Sequence, residues 1–190
     1  MRLVLATRNA HKVRELAELL PGHTIVPLAE DIVLPPETGS TFAENALGKA
    51  RAAAAATGEP AIADDSGICV AALGGAPGVR SARWAGEDAT DADNLQLLVT
   101  SVPDGGDLEY VCAIAFVDAA GDREETFEGR CAGAMTTEPR GTGGFGYDPA
   151  FVPVDEPSGR TMAELSSAEK DAISHRGRAA RALLAWLTTP

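Results

Sequence analysis

The sequence predicts an α/β fold with a mixed central sheet flanked by helices, and four observations favour it. A short apolar run at Leu3–Ala6 is typical of a buried strand, and residues 10–20 repeat apolar positions with helical spacing. Strands and helices then continue to alternate along the chain. Two longer strand-like runs joined by a short turn indicate a hairpin, which makes the sheet mixed. The 190 residues fit one domain, residues 1–190, with two lobes.

The first half of the chain alternates short strands with two helices. Pro21-Gly22 ends the first helix, and a Pro-rich stretch precedes a long Ala-rich helix that begins at Thr41. Two short strands then flank a turn at Asp64–Gly67. In order, the predicted elements are a strand at Leu3–Ala6, a helix at residues 10–20, a strand at Thr24–Val26, a helix from Thr41 to near Gly58, and strands at Ala61–Ala63 and Ile68–Leu73.

The second half adds a hairpin and a helical tail. Residues 119–122 form the hairpin turn, and Gly141–Gly146 are loop-like. The tail has a helical pattern with a break near Ser174. The predicted elements are a helix at Asp91–Val102, hairpin strands at Leu108–Asp118 and Arg123–Met135, and helix from Ser167 to Leu187.

Composition argues against several functions. The net charge is −12 and aromatic residues make up 5% of the chain, whereas nucleic-acid binding requires a basic surface and stacking platforms. No apolar run is long enough for a membrane span or a signal-peptide core. Cys69, Cys112 and Cys131 match neither a disulfide framework nor a zinc site, so we expect buried free thiols in a cytoplasmic protein.

The segment Thr7–Lys12 lies where the first strand meets the first helix. A helix N-terminus offers free backbone N–H groups and partial positive charge, and Arg8 and Lys12 add cationic side chains, so the segment could bind phosphate. The alternative is that Thr7 or Asn9 only caps the helix. The spacing of a Walker P-loop is absent.

Three acidic residues, Glu44, Asp64 and Asp65, could hold Mg²⁺, which prefers oxygen ligands and can neutralise polyphosphate and activate water. Glu44 also fits a capping box with Thr41, and the two aspartates also suit a turn that ends a strand. Adjacent acids after an apolar strand repel each other if buried, which favours a metal or a cationic partner.

A Gly-rich loop, Gly141–Asp148, permits close approach of the backbone to a ligand. Phe145 and Tyr147 could line a flat base, and Asp148 could accept a hydrogen bond from it. An ordinary surface loop with one packed aromatic ring is the alternative, because the register of a dinucleotide-binding loop is absent.

The tail carries a fourth group of candidates. Lys170, His175 and Arg176 could form a cationic edge against phosphate or a base carbonyl, or they could belong to a solvated helix face. No motif of a serine nucleophile is present, so covalent catalysis is a minor alternative.

Taken together, the motifs resemble the inosine triphosphate pyrophosphatase family over nearly the whole chain. Each motif is modest, but seven in the family's order are specific. They are Thr7-x-Asn9-x-x-Lys12, Thr41-Phe42-x-Glu44-Asn45-Ala46, Ala63-Asp64-Asp65-Ser66-Gly67, Gly74-Gly75-Ala76-Pro77-Gly78, Ser81-Ala82-Arg83, Gly144-Phe145-Gly146-Tyr147-Asp148-Pro149-x-Phe151 and Ser174-His175-Arg176.

The resemblance implies an elongated central mixed sheet flanked by helices, with two lobes around a substrate cleft. It also implies a homodimer and a requirement for Mg²⁺. The implied activity is hydrolysis of noncanonical purine nucleoside triphosphates (ITP, dITP and XTP) to the monophosphate and pyrophosphate. A phosphohydrolase that releases orthophosphate and a noncatalytic nucleotide-binding regulator are the competing interpretations.

The resemblance also implies roles for individual residues. Asp65 would activate water, and Glu44 and Asp65 would hold the metal. Arg8 stands where the family often has a small residue, so its side chain could contact phosphate or point to solvent. Whether Asp64 or Asp65 is the base stays open. The implied substrate-binding residues are Thr7, Arg8, Asn9, Ala10, His11, Lys12, Ser66, Phe145, Gly146, Tyr147, Asp148, Lys170, His175 and Arg176.

Overall fold

A computed structural model describes residues 1–188 and confirms the α/β prediction, with helices flanking one mixed sheet. Within those residues, the strands are β1 (Arg2–Leu5), β2 (Thr24–Pro27), β3 (Ala61–Val70), β4 (Asp107–Val117), β5 (Glu124–Met135) and β6 (Phe151–Pro153). The α-helices are α1 (Ala10–Leu19), α2 (Phe42–Thr57), α3 (Asp91–Ser101), α4 (Ser167–Ile173) and α5 (His175–Leu187). Short 3-10 helices cover Ala71–Leu73, Gly78–Arg83, Asp148–Ala150 and Met162–Glu164.

The sheet of the described residues has the strand order β2-β1-β3-β4-β5-β6. β1 pairs in parallel with β2 and β3, and β5 pairs with β6 in antiparallel orientation. Parallel neighbours require crossover connections, which α1 and α2 supply. β4 and β5 are neighbours in the sheet and a short turn joins them, so the predicted hairpin is confirmed.

The predicted turn at Asp64–Gly67 is wrong. Ala61–Val70 form one continuous strand, and the two acids lie near its centre. The prediction placed them in a turn because Asp, Ser and Gly are frequent turn residues. Cationic and amide side chains from distant parts of the chain provide those partners, so the strand continues through both aspartates.

The chain divides into two compact units, each with its own apolar core. The first comprises Met1–Asp65, Cys112–Gly129 and the chain from Arg176 onward, and the second comprises Ser66–Val111 and Arg130–His175. Core residues of the first unit include Leu3, Leu16, Ile62, Ile114 and Leu183. Core residues of the second include Ile68, Leu98, Tyr110, Phe151 and Met162.

Other local predictions are confirmed. Gly58 ends α2 in a left-handed conformation with φ 64°, and the helical tail is interrupted at Ser174. The three cysteines are free thiols as predicted, and Cys112 and Cys131 are buried, but the prediction of burial is wrong for Cys69, which is partly exposed. Between residues 1 and 188, none of the helices combines the length and apolar character that crossing a membrane requires.

Candidate active site

Asp64 lies in a buried ion cluster of the first unit. Its carboxylate is fully buried, and its Oδ2 atom accepts hydrogen bonds from Arg176 Nε at 3.2 Å and Nη2 at 3.1 Å. Lys12 Nζ lies 3.1 Å from the same oxygen, and Glu15 Oε2 lies 2.5 Å from Arg176 Nη1. Burial alone would raise the pKa of Asp64, but Lys12, Arg176 and Lys49 hold it well below its ordinary value. Asp64 is therefore ionised at neutral pH.

Asp65 has a different environment, because successive side chains of a strand point to opposite faces. Asn45 Nδ2 donates to Asp65 Oδ2 at 2.9 Å, and Lys49 Nζ lies 4.0 Å from Oδ1. Burial raises the pKa of Asp65 and Glu37 adds to the rise, while Lys49 only partly offsets it. A carboxyl group with a raised pKa suits proton transfer. The contrast favours Asp65 over Asp64 as a general base.

Helix α2 carries two partners of Asp65. Asn45 and Lys49 are four residues apart, so they share one face of the helix. Lys49 Nζ also donates to Glu37 Oε1 at 2.5 Å and to the backbone carbonyl of Asp64 at 2.8 Å. Sequence reasoning missed Glu37 and Lys49, although a cation on a buried apolar face signals an acidic partner. The buried alanines of that face include Ala46, Ala50 and Ala53.

The predicted phosphate segment Thr7–Lys12 forms the capped start of α1. Asn9 Oδ1 accepts hydrogen bonds from the backbone N–H groups of His11 at 2.9 Å and Lys12 at 3.3 Å, which confirms the capping alternative. These N–H groups are therefore partly engaged before any anion arrives. The Lys12 side chain extends to Asp64 and joins the buried cluster.

Other residues of the segment have local partners or exposed positions. Thr7 Oγ1 accepts from the Asn9 backbone N–H at 3.2 Å, and Ala10 is the exposed first residue of α1. His11 Nδ1 lies 2.8 Å from Arg14 Nη2. The Arg8 guanidinium contacts backbone carbonyls of residues 28–32. The structure thus brings Lys12, rather than Arg8, to the acidic residues.

Glu44 completes the capping box that the sequence left as an alternative. Its Oε2 atom accepts from the Ser40 backbone N–H at 2.7 Å and the Thr41 backbone N–H at 3.2 Å, and hydrogen bonds from Ser40 and Thr41 lower its pKa. Among the residues described, no group of three or more His, Cys, Asp or Glu side chains is arranged to hold a metal ion. The donor chemistry nevertheless fits a hard divalent cation, because Glu37 raises the pKa of Asp65 and a cation would relieve that repulsion.

In the second unit, Asp148 gathers three hydrogen-bond donors. Its Oδ2 atom accepts from Lys170 Nζ at 2.8 Å and from the Phe145 backbone N–H at 2.9 Å. Its Oδ1 atom accepts from the Tyr110 hydroxyl at 3.1 Å. Lys170 Nζ also lies 5.1 Å from the centre of the Phe145 ring. Asp148 therefore holds both the lysine ammonium and the loop backbone in place.

Tyr110 adds His175 to this group. The two rings stack with centroids 4.6 Å apart and an angle of 11° between their planes. Sequence reasoning missed Tyr110 because it fits the apolar pattern of the predicted hairpin strand. Its partner Asp148 is 38 residues away, so no local pattern signals the contact.

The remaining candidates of the second unit lie in strand or loop positions. Tyr147, predicted to line a base, is buried and donates its hydroxyl to the Ser81 carbonyl at 2.6 Å. Burial raises its pKa, so the hydroxyl stays protonated. The Gly146 backbone N–H donates to Asp91 Oδ2 at 3.1 Å, and Ser66 is partly exposed on β3. Tyr147 thus anchors the Gly-rich loop through its hydroxyl.

The fold and these clusters define an α/β protein with buried ion pairs around Asp64 and Asp65 and a further buried ion pair at Asp148. The chain belongs to the Ham1 family, whose family model matches residues 3–186. The resemblance drawn from the motifs is thereby confirmed at the level of the family.

Two curated relatives and one solved structure illustrate the similarity. A protein of Mycolicibacterium paratuberculosis named dITP/XTP pyrophosphatase is 51% identical over 200 residues, covering 98% of this chain and 96% of that protein. One of Escherichia coli O157:H7 with the same name is 51% identical over 191 residues, covering 96% of each. A HAM1 protein from Coxiella burnetii has a TM-score of 0.87 and 43% identity, covering 99% of this chain and 98% of that chain.

Proposed function

We propose that the protein hydrolyses noncanonical purine nucleoside triphosphates (ITP, dITP and XTP) to the monophosphate and pyrophosphate, and so removes them from the nucleotide pool. The geometric observation that carries the proposal is the buried carboxyl of Asp65, which accepts a hydrogen bond from Asn45 Nδ2 and lies 4.0 Å from Lys49 Nζ. The names of the relatives supply the substrate class.

Residues of the first unit perform the hydrolytic step. Asp65 accepts a proton from the attacking water, which suits its raised pKa. Around the start of α1, the triphosphate is bound by Thr7, Asn9, Ala10, His11 and Lys12. Lys12 neutralises charge that develops on the triphosphate. Arg176 and the ionised Asp64 orient the Lys12 ammonium, because Lys12 Nζ and Arg176 Nη2 both contact the Oδ2 atom of Asp64.

Mg²⁺ is the proposed cofactor, with Asp65 and Glu44 as the ligands that the family resemblance implies. Glu37 is a further candidate ligand, because Lys49 holds it near Asp65. When bound, magnesium neutralises polyphosphate charge and lowers the pKa of a bound water.

Residues of the second unit select the base. Lys170 donates hydrogen bonds and accepts none, so an ammonium fixed by Asp148 favours a 6-keto purine and rejects the amino group of adenine. Phe145, Gly146 and Tyr147 supply the loop that borders the base. Ser66, His175 and Arg176 complete the proposed set of substrate contacts.

Product analysis tests this function directly. Purified protein is mixed with Mg²⁺ and, separately, with ITP, dITP, XTP, ATP and GTP, and the products are separated and quantified. We expect monophosphate and pyrophosphate, mainly from the first three nucleotides. Orthophosphate would indicate a different phosphohydrolase, and binding without any turnover would indicate a nucleotide-binding regulator.

Gly144→Ala is expected to impair base recognition. Gly144 has φ +68°, and a Cβ there would lie 2.0 Å from Asp148 Oδ2, so the carboxylate must move. Because hydrogen bonds to charged groups contribute about 1.5–3 kcal/mol, KM for ITP should rise roughly 10- to 100-fold. Steady-state kinetics measure the change.

Gly159→Ala is the matched control for that variant. Gly159 has φ +73° and nothing within 4 Å of an added Cβ, so it carries the same backbone strain without the collision. We expect a nearly unchanged KM. Equal changes in both variants would show that strain, not displacement of Asp148, causes the effect.

We also propose that residues 1–190 act as one pyrophosphatase domain with two lobes, in the cytoplasm and as a homodimer. The two compact units support the two lobes. The odd number and wide spacing of the cysteines favour a reducing compartment, and the family resemblance implies the homodimer. Sedimentation equilibrium measures the mass in solution, and a monomer at working concentration would contradict the dimer.

A further inference from the structure

The guanidinium of Arg8 donates hydrogen bonds to several backbone carbonyls of residues 28–32. Its Nη1 atom donates to the Leu28 carbonyl at 2.9 Å, and its Nη2 atom donates to the carbonyls of Ala29 at 2.8 Å and Ile32 at 2.7 Å. Nη2 also lies 3.3 Å from the Glu30 carbonyl. A planar guanidinium with several fixed N–H groups can serve this many acceptors, whereas an ammonium is a compact point charge.

Residues 28–32 form the first part of the irregular connection between β2 and α2. A turn closes at its start, where the Ile32 backbone N–H donates to the Ala29 carbonyl at 3.2 Å. At its far end, the Gly39 backbone N–H donates to Asn45 Oδ1 at 2.8 Å. Arg8 thus secures the first part of the connection, and α2 secures the last part.

Glu37 lies between these two anchors. Its carboxylate accepts a hydrogen bond from Lys49 Nζ, and the same ammonium lies 4.0 Å from Asp65 Oδ1, so the position of Glu37 affects both residues. Pro35-Pro36 precede it, and proline fixes φ near −65°. The two prolines reduce the backbone freedom between Ile32 and Glu37, so we expect a displacement at Ile32 to shift Glu37.

We propose that Arg8 is a positioning residue that clamps residues 28–32 and thereby holds Glu37 beside Lys49 and Asp65. The catalytic part of this inference rests on the proposed function. The side chain of Arg8 therefore acts on the protein's own backbone, and not on a phosphate of the substrate.

The test compares Arg8→Ala and Arg8→Lys with the wild type, using ITP. We expect kcat to fall roughly 10- to 100-fold in Arg8→Ala, because small displacements of reacting groups have effects of this size, while KM changes little. Arg8→Lys should not restore kcat, since lysine cannot reproduce the planar set of donors. A raised KM that lysine largely restores would instead indicate a phosphate contact and overturn the proposal.

A double-mutant cycle links Arg8 to Glu37. If Arg8 acts through Glu37, adding Arg8→Ala to Glu37→Gln should lower kcat little further, because the two changes remove one function. Effects that multiply would contradict the link. Arg51→Ala is the matched control, since it removes an exposed arginine of the same unit that binds Glu124, and we expect wild-type kinetics.

Hydrogen exchange gives a readout that is independent of turnover. Amides in residues 28–38 should exchange faster in Arg8→Ala than in the wild type or in Arg51→Ala. If these amides were protected equally in Arg8→Ala and in the wild type, the proposal that Arg8 holds residues 28–32 in place would be overturned. If the wild type released no pyrophosphate from ITP, the proposed function would fail, and the exchange result would still decide whether Arg8 secures this segment.

Discussion

Replacing Asp65 with asparagine is expected to lower kcat for ITP by roughly 100- to 10,000-fold, the range that general-base catalysis contributes. Asparagine keeps the size of the side chain and can still accept the hydrogen bond from Asn45, but it cannot take a proton from water. Steady-state and single-turnover kinetics measure the loss. Equilibrium binding of ITP should largely survive.

Asp88→Asn is the matched control, because Asp88 is exposed and lies outside both clusters. It should keep wild-type activity. A loss of less than about tenfold in Asp65→Asn would remove Asp65 from the role of general base.

The pKa shift of Asp65 also predicts whether Asp65→Asn is more or less stable than the wild type. The pKa of Asp65 is raised in the folded chain, so its contribution to stability is present below the ordinary pKa of 3.8 and is lost as the pH rises through the folded-state pKa. With EDTA present to remove metal, Asp65→Asn should therefore unfold at a higher urea concentration than the wild type at pH 7. This advantage should shrink as the pH is lowered toward 3.8.

Arg176→Ala is expected to lower the free energy of unfolding by about 3–5 kcal/mol, the usual effect of removing one partner from a buried ion pair. Arg176 is 1% exposed and provides two of the donors to the fully buried Asp64. Without it, Asp64 and Glu15 lose their shared cation. Urea unfolding at pH 7 measures the change.

Two further variants make this result interpretable. Arg176→Lys keeps the charge but loses the paired donors, so its free energy of unfolding should lie between that of Arg176→Ala and that of the wild type. Arg2→Ala removes a side chain that is 58% exposed and pairs with Glu59, and an exposed pair of this kind contributes at most about 1 kcal/mol. Equal losses in Arg176→Ala and Arg2→Ala would contradict a special role for the buried cluster.

Local patterns were sufficient for most of the fold. Apolar spacing, Pro21-Gly22 and Gly58 predict α1 and α2 because helix periodicity and helix ends depend on neighbouring residues. The strand through Asp64 and Asp65 was not predictable in this way. Its stability depends on Lys12 and Arg176, and Arg176 is 112 residues from Asp64.

The candidate site likewise contains some residues that local motifs predict and others that only contacts with distant residues reveal. Motif order identified the family and most candidate residues, including Asp65, Asp148 and Lys170, because these lie in short conspicuous runs. Glu37 and Tyr110 lie in no such run and acquire a role only through contacts with distant residues.

The fold class of the chain, its family and most of its candidate site residues can therefore be predicted from the order of its residues alone. The opposite pKa shifts of Asp64 and Asp65 and the direction of the Arg8 side chain required the folded chain. The physical reason is that a pKa or a hydrogen bond depends on burial and on which charges and carbonyls lie within a few ångströms. Folding decides those distances, and sequence separation does not.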